Sequence, residues 1–187
     1  MQVPPDSISI YPLDEFYAKS GLPLPEMAPI HGSDVPEPYR SLLVHPHDMT
    51  PTLEGAYGRN IHLRVLQRSL LDGVLSREVV LVPEGAAKPV AFGVIKINLG
   101  HFPGRARDLV LEGEEPLGAI LRGQAIPHAS RPDTFIKMMA DSLIRKALNL
   151  PKPCTLYGRR NVILDGGERT LAQVVEILAP SNGFASA

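Results

Sequence analysis

The sequence predicts an α+β fold, a single antiparallel β-sheet of about six strands with helices packed on one side. Three observations predict it. Apolar residues recur with a period of two in several separate stretches, as in Ile61, Leu63 and Val65. Turn chemistry such as Asp72-Gly73 and Asp165-Gly166-Gly167 joins neighbouring stretches directly. The helical segments fall between groups of strands, without the strand-helix-strand rhythm that builds a parallel sheet.

Residues 1–38 carry eight prolines, which remove amide donors and oppose long regular elements. This segment reads as an arm ahead of a body at 39–187. Ile8, Tyr11, Leu13, Phe16, Tyr17, Leu22, Leu24 and Met27 are too many apolar residues for a solvated tail, so the arm is expected to wrap over the body, with a short helix at Leu13–Lys19. A second short helix follows at Pro38–Val44. Thr50-Pro51 supplies a capping residue and a first-turn proline for a third, over Thr52–Tyr57.

Strands are then predicted at Asn60–Ser69, Leu75–Val82 and Val90–Leu99, forming an antiparallel meander. Pro103–Glu112 suits an amphipathic helix, and Leu117–Leu121 a short helical segment after Pro116. A strand at Thr134–Met139 leads into a helix over Asp141–Leu148, started by Asp141 and closed by Asn149 and Pro151. The final hairpin pairs Thr155–Leu164 with Thr170–Leu178.

Composition narrows the function. With 187 residues the chain suits one domain with its own core. No apolar run approaches the roughly 20 residues of a membrane span, and Met1–Ile10 lacks the regions of a secretory signal, so a cytoplasmic protein without membrane contact is expected. Cys154 is the only cysteine, which excludes an internal disulfide and reads as a small core residue. Nineteen basic residues against twenty acidic ones leave no basic excess for tracking phosphates, so nucleic acid is not an expected partner. P-loop, dinucleotide-binding, nucleophile-elbow and zinc-protease motifs are all missing. His45-Pro46-His47-Asp48 has metal-ligating residue types but no companion cluster, so no metal is expected.

Two charges stand where apolar residues belong. Arg77 shares a strand face with Leu75, Val79 and Leu81, and Glu176 shares one with Ala172, Val174 and Leu178. Burying either alone costs several kcal/mol. Either the two form a structural ion pair, or they serve a ligand: the guanidinium as a bidentate carboxylate receptor, the glutamate as a proton donor. Ile126–Arg131, with His128, forms an irregular segment able to close over a pocket. Arg159 and Arg160 point to opposite faces of one strand, so only one can line the same cavity and the other is expected in solvent.

Several segments resemble the chorismate pyruvate-lyase family in order and spacing: Arg77-Glu78-Val79-Val80-Leu81, Pro116–Leu121, Leu156-Tyr157-Gly158-Arg159-Arg160 and Val175–Pro180, with Asp48-Met49-Thr50 similar to the family's early helix-loop segment. Tyr157 stands where the family often has tryptophan, and Val175 where it has a polar residue. The resemblance covers residues 40–180 and implies a six-stranded sheet with a ligand buried under helical flaps. It implies that Arg77 binds the substrate carboxylate, that Met49 and Leu117 contact the same ring acid, and that Glu176 acts at the ether end. The implied reaction eliminates pyruvate from chorismate to leave 4-hydroxybenzoate without metal or organic cofactor, with Glu176 as general acid and Arg77 beside it. The alternative the same fold implies is a non-catalytic module for a small aromatic or cyclic carboxylate, like the effector-binding domains of bacterial regulators. Residues 1–38 are too short and proline-rich to be the winged-helix domain of such a regulator. A small-molecule carboxylate is thus the expected partner, for a monomer or small homo-oligomer.

Overall fold

The computed structural model describes residues 10–180, so Pro4, Pro5 and Ile8 of the arm lie outside the described residues. Its elements run α1 (Leu13–Lys19), β1 (Met27–Ile30), α2 (Tyr39–Leu43), α3 (Met49–Tyr57), β2 (Ile61–Leu71), β3 (Val74–Pro83) and β4 (Ala91–Asn98). They continue with α4 (Gly104–Glu112), α5 (Leu117–Gly123), β5 (His128–Met139), α6 (Ser142–Leu148), β6 (Thr155–Asp165) and β7 (Thr170–Leu178).

The α+β class and the single antiparallel sheet stand as predicted, with seven strands in the order β1-β5-β6-β7-β4-β3-β2. The seventh is β1, a four-residue strand whose Pro29 gives no periodic signal; it pairs along β5 from Met27 opposite Met138 to Ile30 opposite Phe135. The β2-β3-β4 meander and the β5-β6-β7 meander meet where β4 pairs with β7. That junction puts the two suspect strands, β3 and β7, on either side of β4.

The helices, expected on one side, cover both. Leu75, Ile95, Ile97 and Val174 pack against Ala106, Val110, Leu117 and Ile120 of α4 and α5, and Leu81, Ala91 and Leu178 pack against α2 and α3. The alternate residues Val80, Phe92, Val94, Val175 and Ile177 face the other way, onto Leu13 and Tyr17 of α1 and Ile144 and Leu148 of α6. The central strands are apolar on both faces, so a single helical layer would leave half of that surface wet. The described part of the arm therefore lies on the body, with Leu13 and Tyr17 fully buried.

Two local departures have physical causes. The third helix begins at Met49 rather than Thr52, and Asp48 at its cap gives no side-chain hydrogen bond to the helix because its carboxylate is held by His128 and Ser130. Pro51 is still accommodated, since first-turn amides lack intrahelical partners. Strand β5 starts six residues early, at His128. A register shift between Pro132 and Thr134 breaks its alternation and hides it from a periodicity reading. Asp141 caps α6 as predicted, its Oδ1 accepting from the Ile144 amide at 2.9 Å, and Asn149 closes the helix at φ 55°.

Candidate functional site

Between the sheet and helices α3 and α5 lies a cavity of about 70 Å³. Its floor is Val79, Gly93, Ile95, Ile163 and Val174, and its roof is Met49, Thr50, Leu117 and Gly118. All four residues singled out from the sequence, Met49, Arg77, Leu117 and Glu176, line it. The walls are mostly apolar with a few converging polar groups, the usual make-up of a small-molecule site. Gly93 separates Val79 from Glu176 across the sheet, and its missing side chain leaves the middle of the floor low.

Arg77 is 3% exposed, and among the described residues neither its Nε nor its Nη1 has a hydrogen-bond partner. Its direct cross-strand neighbour is Arg68, whose Nη1 donates to the Leu111 carbonyl at 3.1 Å near the C-terminus of α4. A Cβ built on Gly113, which ends that helix at φ 76°, would lie 3.9 Å from Arg77 Nη1. The guanidinium therefore sits beneath the negative end of α4, which favours a cation but supplies it with no acceptor. Burial, then the charge of Arg68, pushes Arg77 down to about 10, so it remains charged at neutral pH. Among the described residues no carboxylate is paired with it.

The ion pair between Arg77 and Glu176, the structural alternative for these charges, does not form. Glu176 Oε2 instead accepts from Arg159 Nε at 2.7 Å, the two residues standing directly opposite on β7 and β6. Arg159 is fully buried. Its Nη1 donates to the carbonyls of Leu43 at 3.3 Å and His45 at 3.0 Å, and its Nη2 to that of His47 at 3.0 Å. The segment considered for metal binding is thus a loop tied to the sheet by one guanidinium, just before α3. Gly158 lets the strands close here, because a Cβ at that position would lie 2.6 Å from the Glu176 carbonyl.

Arg160, expected in solvent, is mostly covered on the reverse face. Its Nε donates to the Tyr11 carbonyl at 2.9 Å, and it pairs with Asp133. The arm, packed onto that face, supplies the cover.

One cluster went unread in the sequence. Asp48 Oδ1 accepts from Ser130 Oγ at 2.8 Å, Oδ2 lies 3.0 Å from His128 Nε2, and Arg122 Nη1 stands 3.6 Å away. Burial pushes the Asp48 carboxyl up, but the hydrogen bonds from His128 and Ser130 and the charges of His128 and Arg122 outweigh it, leaving the group below the ordinary carboxylate range. A Cβ at Gly118 would come within 3.0 Å of Asp48 Oδ2, so the glycine permits α5 to pack on this cluster. Asn161, 2% exposed, extends the cluster to the cavity: its Nδ2 donates weakly to Ser130 Oγ at 3.4 Å, while Oδ1 is buried without a partner among the described residues. The strand pattern held a signal for Asn161, which shares a face with Arg159 and Ile163. His128 was visible only as part of an irregular segment.

No protein-family model matches the chain, and no curated protein matches it in sequence. Solved structures do match in fold. The effector domain of PhnF from Mycobacterium smegmatis superposes with a TM-score of 0.54 at 17% identity, over 72% of this chain and 90% of that domain. The SA0254 gene product of Staphylococcus aureus gives 0.55 at 7% identity, over 71% and 90%. YydK of Bacillus subtilis, a possible transcriptional regulator, gives 0.52 at 7% identity, over 70% of this chain and 63% of its own. The chain likewise spans 66% of the whole PhnF chain. At such identities the likeness is one of fold alone, an antiparallel sheet carrying helices.

Proposed function

We propose that this domain is a non-catalytic binding module for a small aromatic or cyclic carboxylate, with Arg77 as the receptor of the carboxylate. The observation that carries the reading is the buried, unpartnered guanidinium facing a cavity. Such a group costs several kcal/mol unless something anionic reaches it, and a carboxylate matches its fork with two parallel hydrogen bonds. Met49 and Leu117 contact the ring from the roof. Asn161 Oδ1 accepts from a hydroxyl or amine at the far end, three strands and roughly 14 Å from the β3 backbone. At about 70 Å³ the cavity is smaller than the ~300 Å³ at which ligand pockets begin, so α3 and α5 move outward on binding. The loop pinned by Arg159 leads straight into α3, giving ligand occupancy a mechanical route to residues 43–48. The likeness to an effector domain supports this reading over catalysis.

The second reading, a lyase that eliminates pyruvate from chorismate, keeps one observation in its favour: the residues that the family resemblance assigns to substrate all line one cavity. In that reading Glu176 is the general acid. Arginine offers only donors, so the Oε2 facing Arg159 accepts, and only Oε1 remains to deliver a proton.

Incubation with chorismate, with 4-hydroxybenzoate followed by chromatography and pyruvate by a coupled dehydrogenase, separates the two. A module leaves chorismate intact while chorismate or 4-hydroxybenzoate raises its melting temperature; release of both products, lost in Glu176→Gln, establishes the lyase instead.

A further inference from the structure

Arg77 and Asn161 stand at the two ends of one cross-strand row. Arg77 lies opposite Ile95, Ile95 opposite Val174, and Val174 opposite Asn161, so the cavity face carries two apolar residues between two polar ones. We propose, resting on the reading of Arg77 as the carboxylate receptor, that Asp48 and Ser130 lock the Asn161 side chain as an acceptor. The module then selects cyclic carboxylates that carry an O–H or N–H donor at the end remote from the carboxylate.

The protons of the cluster leave the amide one orientation. Asp48 is held ionised by the groups around it, so both its oxygens only accept. His128 Nε2 and Arg122 Nη1 face its Oδ2, which leaves Oδ1 to Ser130. Ser130 has a single hydroxyl proton and donates it to Asp48 Oδ1 at 2.8 Å. Towards Asn161, Ser130 Oγ can therefore only accept, which puts the amide nitrogen on the 3.4 Å contact. With the amide reversed, two oxygens would face each other with no hydrogen between them, in a site where Ser130 is 6% and Asn161 2% exposed.

The carbonyl is consequently turned away from Ser130. Among the described residues Asn161 Oδ1 has no partner, although Asn161 lines the cavity. A buried acceptor without a donor is costly, and a ligand hydroxyl or amine recovers that cost. A methyl or halogen in its place leaves Oδ1 unpaired, and a site built around a hydrogen bond rejects such analogues strongly. Asn161 is thus the residue that reads the ligand, and Ser130 and Asp48 are positioning residues behind it.

The test titrates the full chain calorimetrically with 4-hydroxybenzoate and 4-aminobenzoate, which carry a donor, and with 4-fluorobenzoate and 4-methylbenzoate, which do not. Affinity ratios are taken within each variant, so a general weakening cancels. The wild type is expected to prefer the donor-bearing acids by about tenfold or more. Ser130→Ala frees the amide to turn and is expected to shrink the preference to within about threefold, while Ser130→Thr, which keeps the hydroxyl, retains it. Should Ser130→Ala fail to fold, Asn161→Leu decides: it is expected to favour 4-methylbenzoate, and a retained preference for the hydroxyl overturns the proposal. Binding that is lost in Arg77→Met yet indifferent to the ring substituent in the wild type overturns the proposal and leaves the carboxylate reading standing, as does a preference that survives Ser130→Ala. Absence of binding by all four acids, or binding unchanged in Arg77→Met, overturns the carboxylate reading and this proposal with it.

Discussion

Arg77 and Arg159 are both buried on the same face of one sheet, yet their surroundings differ completely. Arg159 spends its donors on Glu176 and on three backbone carbonyls between Leu43 and His47, so it acts as a fastener. Arg77 has two nitrogens without partners among the described residues and a second arginine beside it. A buried charge whose donors are satisfied belongs to the scaffold; one left idle lowers stability and persists where a ligand completes it. Under the proposed binding role, the contrast divides the site into a fixed half at β6 and β7 and a receptive half at β3.

The largest effect is expected on the fixed half. Glu176→Ala leaves Arg159 charged and fully buried without its carboxylate, and should cost about 3–5 kcal/mol by urea denaturation. A loss under about 1 kcal/mol would mean that the backbone carbonyls alone satisfy Arg159. Gly158→Ala should follow at about 1–3 kcal/mol, since its Cβ must displace the Glu176 carbonyl from 2.6 Å. An unchanged melting temperature would show that the two strands have slack there.

Much of this was legible in the sequence because it depends on local pattern. Strand alternation exposed Arg77 and Glu176 as charges on apolar faces, and turn and cap residues placed β2 to β4, α6 and the final hairpin. What was not legible depends on pairing between distant strands. The turn residues pair β7 with β6, but nothing in the sequence says that β4 is β7's other neighbour, which keeps β3 and its Arg77 one strand away from Glu176. The Asp48, His128 and Ser130 cluster joins residues 80 positions or more apart. Strand β1 and the start of β5 were hidden by Pro29 and by the register shift after Pro132, both of which break the period of two.

The smallest expected effect concerns acid. Asp48 is held below the ordinary carboxylate range, so its contribution is present above the unfolded-state value near about 4 and fades as the pH falls through the lower folded-state value. Melting temperature between about pH 6 and pH 3 should fall less steeply in Asp48→Asn than in the wild type. Parallel curves would remove the cluster from the acid response.

The receptive half is tested most directly by urea unfolding of the wild type and Arg77→Met, each with and without 4-hydroxybenzoate. Removing an uncompensated buried charge should make the variant more stable than the wild type by about 1–3 kcal/mol without ligand, while the acid stabilises the wild type alone. A variant that is less stable than the wild type, with the same response to 4-hydroxybenzoate, would contradict the assignment of Arg77 as the carboxylate receptor.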